Sequence, residues 1–172
     1  MKNYLKTIAE MMAVAAQTAP KALGRNFIKI EIIDGNALNK LADEMAAYGV
    51  KTGKKNFDRD ANNVRNSAAV VLIGIKDADK LGLNCGACGC PECGQLFAQK
   101  EGPEFKGPYC AYRLIDLGIA LGSAAKTAGL LNADNRVMYR AGVSARKLKL
   151  IDADFVLAIP ISATGKSIYF DR

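Results

Sequence analysis

The stretch Ala68-Ala69-Val70-Val71-Leu72-Ile73-Gly74-Ile75 is the longest apolar run in the chain. It is far shorter than the roughly 20 apolar residues that a membrane-spanning helix needs. Valine and isoleucine are frequent in it, and β-branched residues are typical of strands. Because apolar side chains would point from both faces, the run predicts a strand at the centre of a sheet that is covered on both sides.

The residues before this strand predict two helices and a second strand. Residues 4–17 repeat apolar side chains at helical spacing, and residues 27–33 alternate isoleucine with charged residues, as a half-buried strand does. Asn36 predicts the N-cap of a helix that runs to about residue 48. We expect a polar loop over residues 49–59 and a short helix from Asp60.

The C-terminal third predicts two helices and a last strand. Residues 111–131 form a long predicted helix that is rich in glycine and alanine. Small side chains let another helix approach closely, so we expect this helix in the core or at a subunit interface. Its one acidic residue, Asp116, is expected to form a salt bridge with Arg113 or to bond a backbone group, because a charge within a packed helix needs a partner. A polar contact to a cofactor cleft is the alternative. Residues 135–150 predict a second helix, and residues 155–161 predict a strand.

The composition predicts a single globular domain over residues 1–172. Half of the residues are hydrophobic and 24% are charged, which is ordinary for a globular protein. The formal net charge is +7, but lysine and arginine are scattered and not interleaved with aromatic residues, so no nucleic-acid partner is expected. No signal peptide is visible, and we expect a cytoplasmic protein without a membrane span. The absence of histidine excludes serine–histidine and cysteine–histidine nucleophilic catalysis.

Metal-binding chemistry is concentrated in the stretch Asn84-Cys85-Gly86-Ala87-Cys88-Gly89-Cys90-Pro91-Glu92-Cys93-Gly94. Its first, second and last cysteines and the later Cys110 are separated by two, four and sixteen residues. Thiolates are ligands for soft metal centres, and the interspersed glycines permit the tight turns that bring sulfur atoms together. This spacing favours a [4Fe–4S] cluster.

Two other interpretations of the cysteines stay open. A structural zinc site usually joins two Cys-x-x-Cys knuckles and often uses histidine, whereas this chain has one such knuckle and no histidine. A disulfide framework is typical of secreted proteins. We expect the cluster-binding segment to occupy residues 82–110, with a short helix near residues 95–100.

The cysteine pattern resembles the small four-iron domain of Rnf-type electron-transport subunits and corrinoid iron–sulfur proteins. The shared pattern is Cys-Gly-x-Cys-Gly-x-x-x-Cys with a fourth cysteine sixteen residues later. The resemblance implies that the cluster ligands are Cys85, Cys88, Cys93 and Cys110. Cys90 has no counterpart in the pattern, and its role is open between a free thiol and an alternative ligand or redox-sensitive thiol.

The C-terminal part carries a second resemblance, which runs from Gly107 to Arg172. Residues 116–123, 134–136 and 161–166 are similar to a family of ferredoxin-domain proteins of unknown function, DUF2148. This resemblance implies an iron–sulfur cluster and offers no established reaction.

The order of predicted elements outside residues 82–110 resembles a compact nitroreductase. The resemblance implies an α+β fold with a mixed sheet flanked by helices, into which the iron–sulfur segment is inserted. It also implies a homodimer that binds FMN between its subunits. Ala19-Pro20 matches the start of that family's flavin loop, although Lys21 and Gly24 replace its serine and asparagine. The residues expected to contact a flavin are Arg25, Asn26, Lys166 and Arg172.

These features predict a redox protein. Its cluster would accept an electron and pass it to a bound flavin, to a small substrate or to an unknown redox partner. Whether the protein is an enzyme stays open at this point. A non-enzymatic iron–sulfur sensor or binding module is one alternative, and a zinc-stabilised interaction protein is another.

Overall fold

The computed structural model describes residues 3–170 of the chain. Those residues form a four-stranded sheet, a two-stranded hairpin and five α-helices. The helices are α1 (Asn3–Thr18), α2 (Asn36–Thr52), α3 (Phe57–Arg65), α4 (Ala111–Leu130) and α5 (Tyr139–Lys147). The strands are β1 (Ile28–Asp34), β2 (Ala69–Ile75), β3 (Lys100–Glu101), β4 (Lys106–Gly107), β5 (Asp134–Asn135) and β6 (Phe155–Ser162).

Strand β2 lies in the interior of the sheet, whose order is β1-β2-β6-β5. Every residue of β2 is buried, which confirms the predicted central strand. Val71 lies opposite Ile32 of β1 and Ile159 of β6. The four strands pair antiparallel throughout, so the predicted α+β class is confirmed but the sheet is not mixed.

The two faces of β2 enter two separate hydrophobic clusters, because successive side chains of a strand point to opposite faces. Val71 and Ile73 pack with α1 and α4 on one side of the sheet. Val70 and Leu72 pack with α2, α3 and α5 on the other. Helix α5 approaches the sheet so closely that a Cβ atom on Gly142 would lie 2.1 Å from the carbonyl oxygen of Val156. The sheet is therefore covered on both sides.

The predicted loop over residues 49–59 is wrong in part. Helix α2 continues to Thr52, and α3 begins at Phe57. The rings of Tyr48 and Phe57 lie 5.1 Å apart. This aromatic contact packs the end of α2 against the start of α3 across a short turn. Asn36 is not the N-cap either, because Gly35 occupies that position with a φ of 55° and no side chain caps the helix.

Two further boundaries differ from the predictions. Helix α5 begins at Tyr139 and not near residue 135, because Asp134–Asn135 pairs with β6 as strand β5. The expected helix near residues 95–100 is replaced by a short 3₁₀ turn over Cys93–Gln95, after which the chain enters the β3–β4 hairpin. Within residues 3–170, no helix is long and apolar enough to cross a membrane.

Candidate metal centre

The cysteine turn, residues 84–94, is closed by a reciprocal pair of hydrogen bonds. The Asn84 backbone N–H donates to Cys93 Sγ at 3.3 Å, and the Cys93 backbone N–H donates to Asn84 Oδ1 at 2.8 Å. Inside the turn the chain has positive φ angles at Gly86 and Gly89, a conformation that favours glycine. These bonds place a backbone donor on the sulfur of a predicted ligand.

The five thiols differ in exposure. Cys85 is exposed, Cys88, Cys90 and Cys93 are half-buried, and Cys110 is buried at the start of α4. Burial raises the pKa of the Cys90 thiol, and its neighbour Cys88 raises it further through charge and a hydrogen bond. Cys90 therefore sits beside a predicted ligand, and its role stays open.

The thiol side chains of this segment are of the chemical type that a soft metal centre binds. Four thiols in the predicted ligand positions and an N–H group on one of the sulfurs are typical of iron–sulfur coordination. In the described part of the chain, no three cysteine, aspartate or glutamate side chains converge closely enough to hold a metal ion. The four ligands and their common centre therefore stay a prediction.

Cys110 lies at the wall of a cavity of about 540 Å³. One side of the cavity is formed by residues 78–80, which precede the cluster segment, and another by residues 96–99, which follow the cysteine turn. Pro108 and Lys106 complete the wall near Cys110. The buried cysteine thus faces open space between the two ends of the segment.

The base hairpin, residues 100–107, is held on the protein by ionic and hydrogen bonds. Arg146 of α5 donates to both carboxylate oxygens of Glu101, at 2.5 and 2.8 Å. This bond lowers the pKa of Glu101. The backbone N–H of Lys106 donates to the carbonyl of Asp154 at 3.1 Å. The hairpin is therefore attached to both α5 and the start of β6.

Glu104 is the central acceptor of the base hairpin, and its side chain is only 11% exposed. Tyr48 donates to it at 3.0 Å, Lys54 pairs with it at 2.5 Å, and the Tyr139 hydroxyl donates to its second oxygen. Burial raises the pKa of Tyr48, and the hydrogen bond to Glu104 raises it further. One carboxylate thus joins the hairpin to α2 and α5.

Arg113 is the largest fully buried side chain in the described part of the chain, at 1% exposure. It pairs with Asp116 at 3.1 Å, which confirms the predicted salt bridge. It also donates to the backbone carbonyl of Ala22 at 3.2 Å and to the backbone carbonyl of Asp79 at 3.1 Å, and it forms an ion pair with the Asp79 carboxylate. Its guanidinium carbon lies 4.7 Å from the ring centroid of Phe27.

Of the four residues expected to contact a flavin, the structure describes Arg25, Asn26 and Lys166. Arg25 pairs with Asp79 at 2.6 Å, and the side-chain oxygen of Asn26 accepts the backbone N–H of Ile28 at 3.0 Å. Lys166 lies after the last strand, where its carbonyl accepts the Thr164 hydroxyl. Arg172 lies outside the described residues. These contacts do not assemble an anion site within one copy, and the flavin contacts stay a prediction.

Sequence reasoning missed the residues that hold the segment. Asn84, Glu104 and Arg146 make the contacts described above, and none of them belongs to the cysteine pattern. A polar residue directly before Cys85 could have indicated Asn84, because asparagine often bonds nearby backbone groups. Glu104 and Arg146 gave no local signal, since their partners are far away in the sequence.

Sequence comparison finds a family and a relative. Residues 106–172 match the family described as uncharacterised proteins containing a ferredoxin domain, DUF2148. Of the four predicted ligands, Cys110 alone lies in the matched part. An uncharacterised protein of Archaeoglobus fulgidus is 48% identical over 169 residues, which cover 98% of this chain and 91% of that protein.

Structure comparison finds nitroreductases. The nitroreductase of Lactococcus lactis in complex with nicotinic acid has a TM-score of 0.61 and 13% identity, over 96% of this chain and 84% of its own. A nitroreductase family protein of Clostridium novyi NT gives 0.58 and 14%, over 95% and 78%. The nitroreductase with bound FMN of Desulfitobacterium hafniense gives 0.56 and 14%, over 96% and 79%. At these identities the likeness shows the fold alone, and the predicted nitroreductase-like fold is confirmed.

Proposed function

This chain belongs to one family with the uncharacterised Archaeoglobus fulgidus protein, and we propose that it is a redox protein that binds a [4Fe–4S] cluster. The match to a ferredoxin-domain family and the fold shared with oxidoreductases suggest redox function. The cluster and electron transfer are our proposal. Its ligands would be Cys85, Cys88, Cys93 and Cys110.

The observation that carries this proposal is the closed cysteine turn. Asn84 holds the chain so that a backbone N–H points at Cys93 Sγ. Such N–H groups stabilise the charge on cluster sulfur atoms and raise the reduction potential.

The chain's own residues would set the conditions for electron transfer. When bound, the cluster supplies a one-electron acceptor and donor. Cys85 is exposed, so the site would face a partner or substrate, whereas Cys110 is buried and would fix the cluster to α4. The chain contains no histidine, the side chain that most often serves as a general acid or base, and this favours electron transfer over bond-making chemistry at the cluster.

We also propose that two copies associate through the outer face of α4. Ile115 is 50% exposed and Ile119 38% exposed on that face, and a Cβ atom on Gly118 or Gly122 would meet nothing within 4 Å. Glycine costs about 1 kcal/mol relative to alanine in an exposed helix. Close approach of a second helix would account for both features.

FMN binding is the second cofactor proposal, and it rests on the fold shared with FMN-containing proteins. Because Arg25 and Asn26 are engaged within one copy, a flavin site would require residues of both copies. Acid release of cofactor from the purified protein tests it: yellow FMN would support the proposal, and its absence would leave a cluster protein without flavin.

Anaerobic purification followed by metal and sulfide analysis tests the cluster. We expect a brown protein with about four irons and about four acid-labile sulfides per chain. A colourless protein with one tightly bound zinc would contradict the proposal and support the zinc-stabilised alternative. A cluster without a reversible one-electron step would support a sensor or structural role.

A further inference from the structure

Arg113 and Asp79 join the two ends of the cluster segment. Asp79 lies just after β2 and before residue 82, where the segment begins, and Arg113 lies one helical turn after Cys110, where the segment ends. The Arg113 guanidinium bonds both the carboxylate and the backbone carbonyl of Asp79. The backbone N–H of Arg113 in turn donates to the carbonyl of Cys110 at 3.0 Å.

The same side chains reach a third part of the molecule. Ala22 donates its backbone N–H to Asp116 at 2.8 Å and accepts a hydrogen bond from Arg113 through its carbonyl. Arg25 pairs with the second carboxylate oxygen of Asp79. The loop after α1, which contains the predicted flavin contacts Arg25 and Asn26, is therefore bonded to the two ends of the cluster segment.

The charges of this group balance, since two arginines face two aspartates. Burying a guanidinium is unfavourable unless its N–H groups find acceptors. The Arg113 guanidinium donates hydrogen bonds to Asp79, Asp116 and Ala22. Core packing alone would not require a charged residue at this position. A side chain of fixed, planar geometry does, however, set both the distance and the direction between the groups that it bonds.

We propose that Arg113 and Asp79 are positioning residues that hold the two ends of the cluster segment together, so that Cys110 faces the cysteine turn at a fixed spacing. The inference rests on the proposed cluster, because its consequence for function is the geometry of the four ligands. The bonds of this group to Ala22 and Arg25 would also make the loop after α1 move together with the segment.

Asp79→Asn is the sharpest variant, because it keeps the side-chain size and leaves Arg113 bonded to Asp116 and Ala22. Asp43→Asn is the matched control: it removes another carboxylate that pairs with an arginine, Arg65 at 2.7 Å, outside the cluster segment. In the full chain without iron, we expect trypsin cleavage after Lys80, with each rate divided by that of the same bond in a peptide of residues 76–84, to be about tenfold faster in Asp79→Asn than in the wild type, through local opening. The control should cleave there at the wild-type rate. Equal rates in Asp79→Asn and wild type would overturn the proposal.

Cluster properties provide the readout that a merely structural role would not change. After anaerobic loading with iron and sulfide, Asp79→Asn should lose iron to a chelator about tenfold faster than the wild type, and its reduced EPR signal should broaden. Asp79→Glu should restore part of both properties. Identical iron loss and EPR signals in all variants would contradict the proposal. If the wild type takes up no sulfide, the proposed function fails, and the trypsin rates still decide whether the pair holds the segment.

Discussion

The base hairpin and the cysteine turn both lie between β2 and α4 but are held very differently. The hairpin is attached to α2, α5 and β6 through Glu101, Glu104 and Lys106. The cysteine turn is mostly exposed, and its closing bonds run between its own residues, Asn84 and Cys93. The base hairpin, residues 100–107, is thus a fixed platform for the cysteine turn, which has little internal packing. Such a loop gains most from a bound ligand that joins its donors.

The variant with the largest expected effect tests whether iron binding depends on the cysteine turn while stability depends on the platform. Cys93→Ser should reduce bound iron from about four atoms per chain to nearly none, because it removes both a ligand and the acceptor of the Asn84 N–H. The thermal midpoint without iron should stay near that of the wild type, since the turn adds little packing. Iron analysis and circular dichroism measure these two properties.

Cys90→Ser is the matched control for this variant, since it alters a thiol in the same turn that lies outside the ligand pattern. We expect wild-type iron content. Loss of iron in Cys90→Ser together with its retention in Cys93→Ser would reverse the ligand assignment.

The next effect tests the platform. Glu104→Ala should lower the free energy of unfolding by about 2 kcal/mol, because it leaves Tyr48, Lys54 and Tyr139 without their shared acceptor. For a chain of this size the thermal midpoint should fall by about 4 to 8 °C. Scanning calorimetry of the iron-free protein measures this.

Glu92→Ala provides the comparison within the turn, where the side chain is exposed. It should change stability by less than about 0.5 kcal/mol. Equal losses in Glu92→Ala and Glu104→Ala would remove the distinction between platform and turn.

The smallest effect is a pH dependence of the platform. The hydrogen bond from Arg146 lowers the pKa of Glu101 below its ordinary value of 4.5. A carboxylate with a lowered folded-state pKa contributes stability above its unfolded pKa and loses it as the pH falls through the folded one. We expect the urea midpoints of wild type and Glu101→Gln to differ slightly at pH 6 and to converge as the pH falls below 4.5 and through the lowered pKa. A gap that widens on acidification would contradict the assigned ion pair.

Local patterns predicted the sheet well and the segment poorly. The apolar run in β2 and the alternation in β1 identify strands because burial on two faces or on one leaves a direct mark on the sequence. The small residues of α4 and the pairing of Arg113 with Asp116 were also predictable, since both follow from helix geometry.

The remaining features depend on contacts between distant residues. Asn135 is a sensible helix start by local signals, but pairing with β6 makes it part of a strand. Glu104 and Arg146 become important only when the hairpin folds onto α5. The cysteine spacing predicted a metal-binding segment. It could not predict the residues that attach this segment to the rest of the protein.

Low-temperature EPR of the anaerobically purified, chemically reduced protein is the decisive experiment on cluster binding. We expect a signal of one unpaired electron per chain that disappears on reoxidation and returns on reduction, in material that contains inorganic sulfide. Protein that contains no sulfide and gives no such signal would contradict the claim that these cysteines hold a redox-active iron–sulfur cluster.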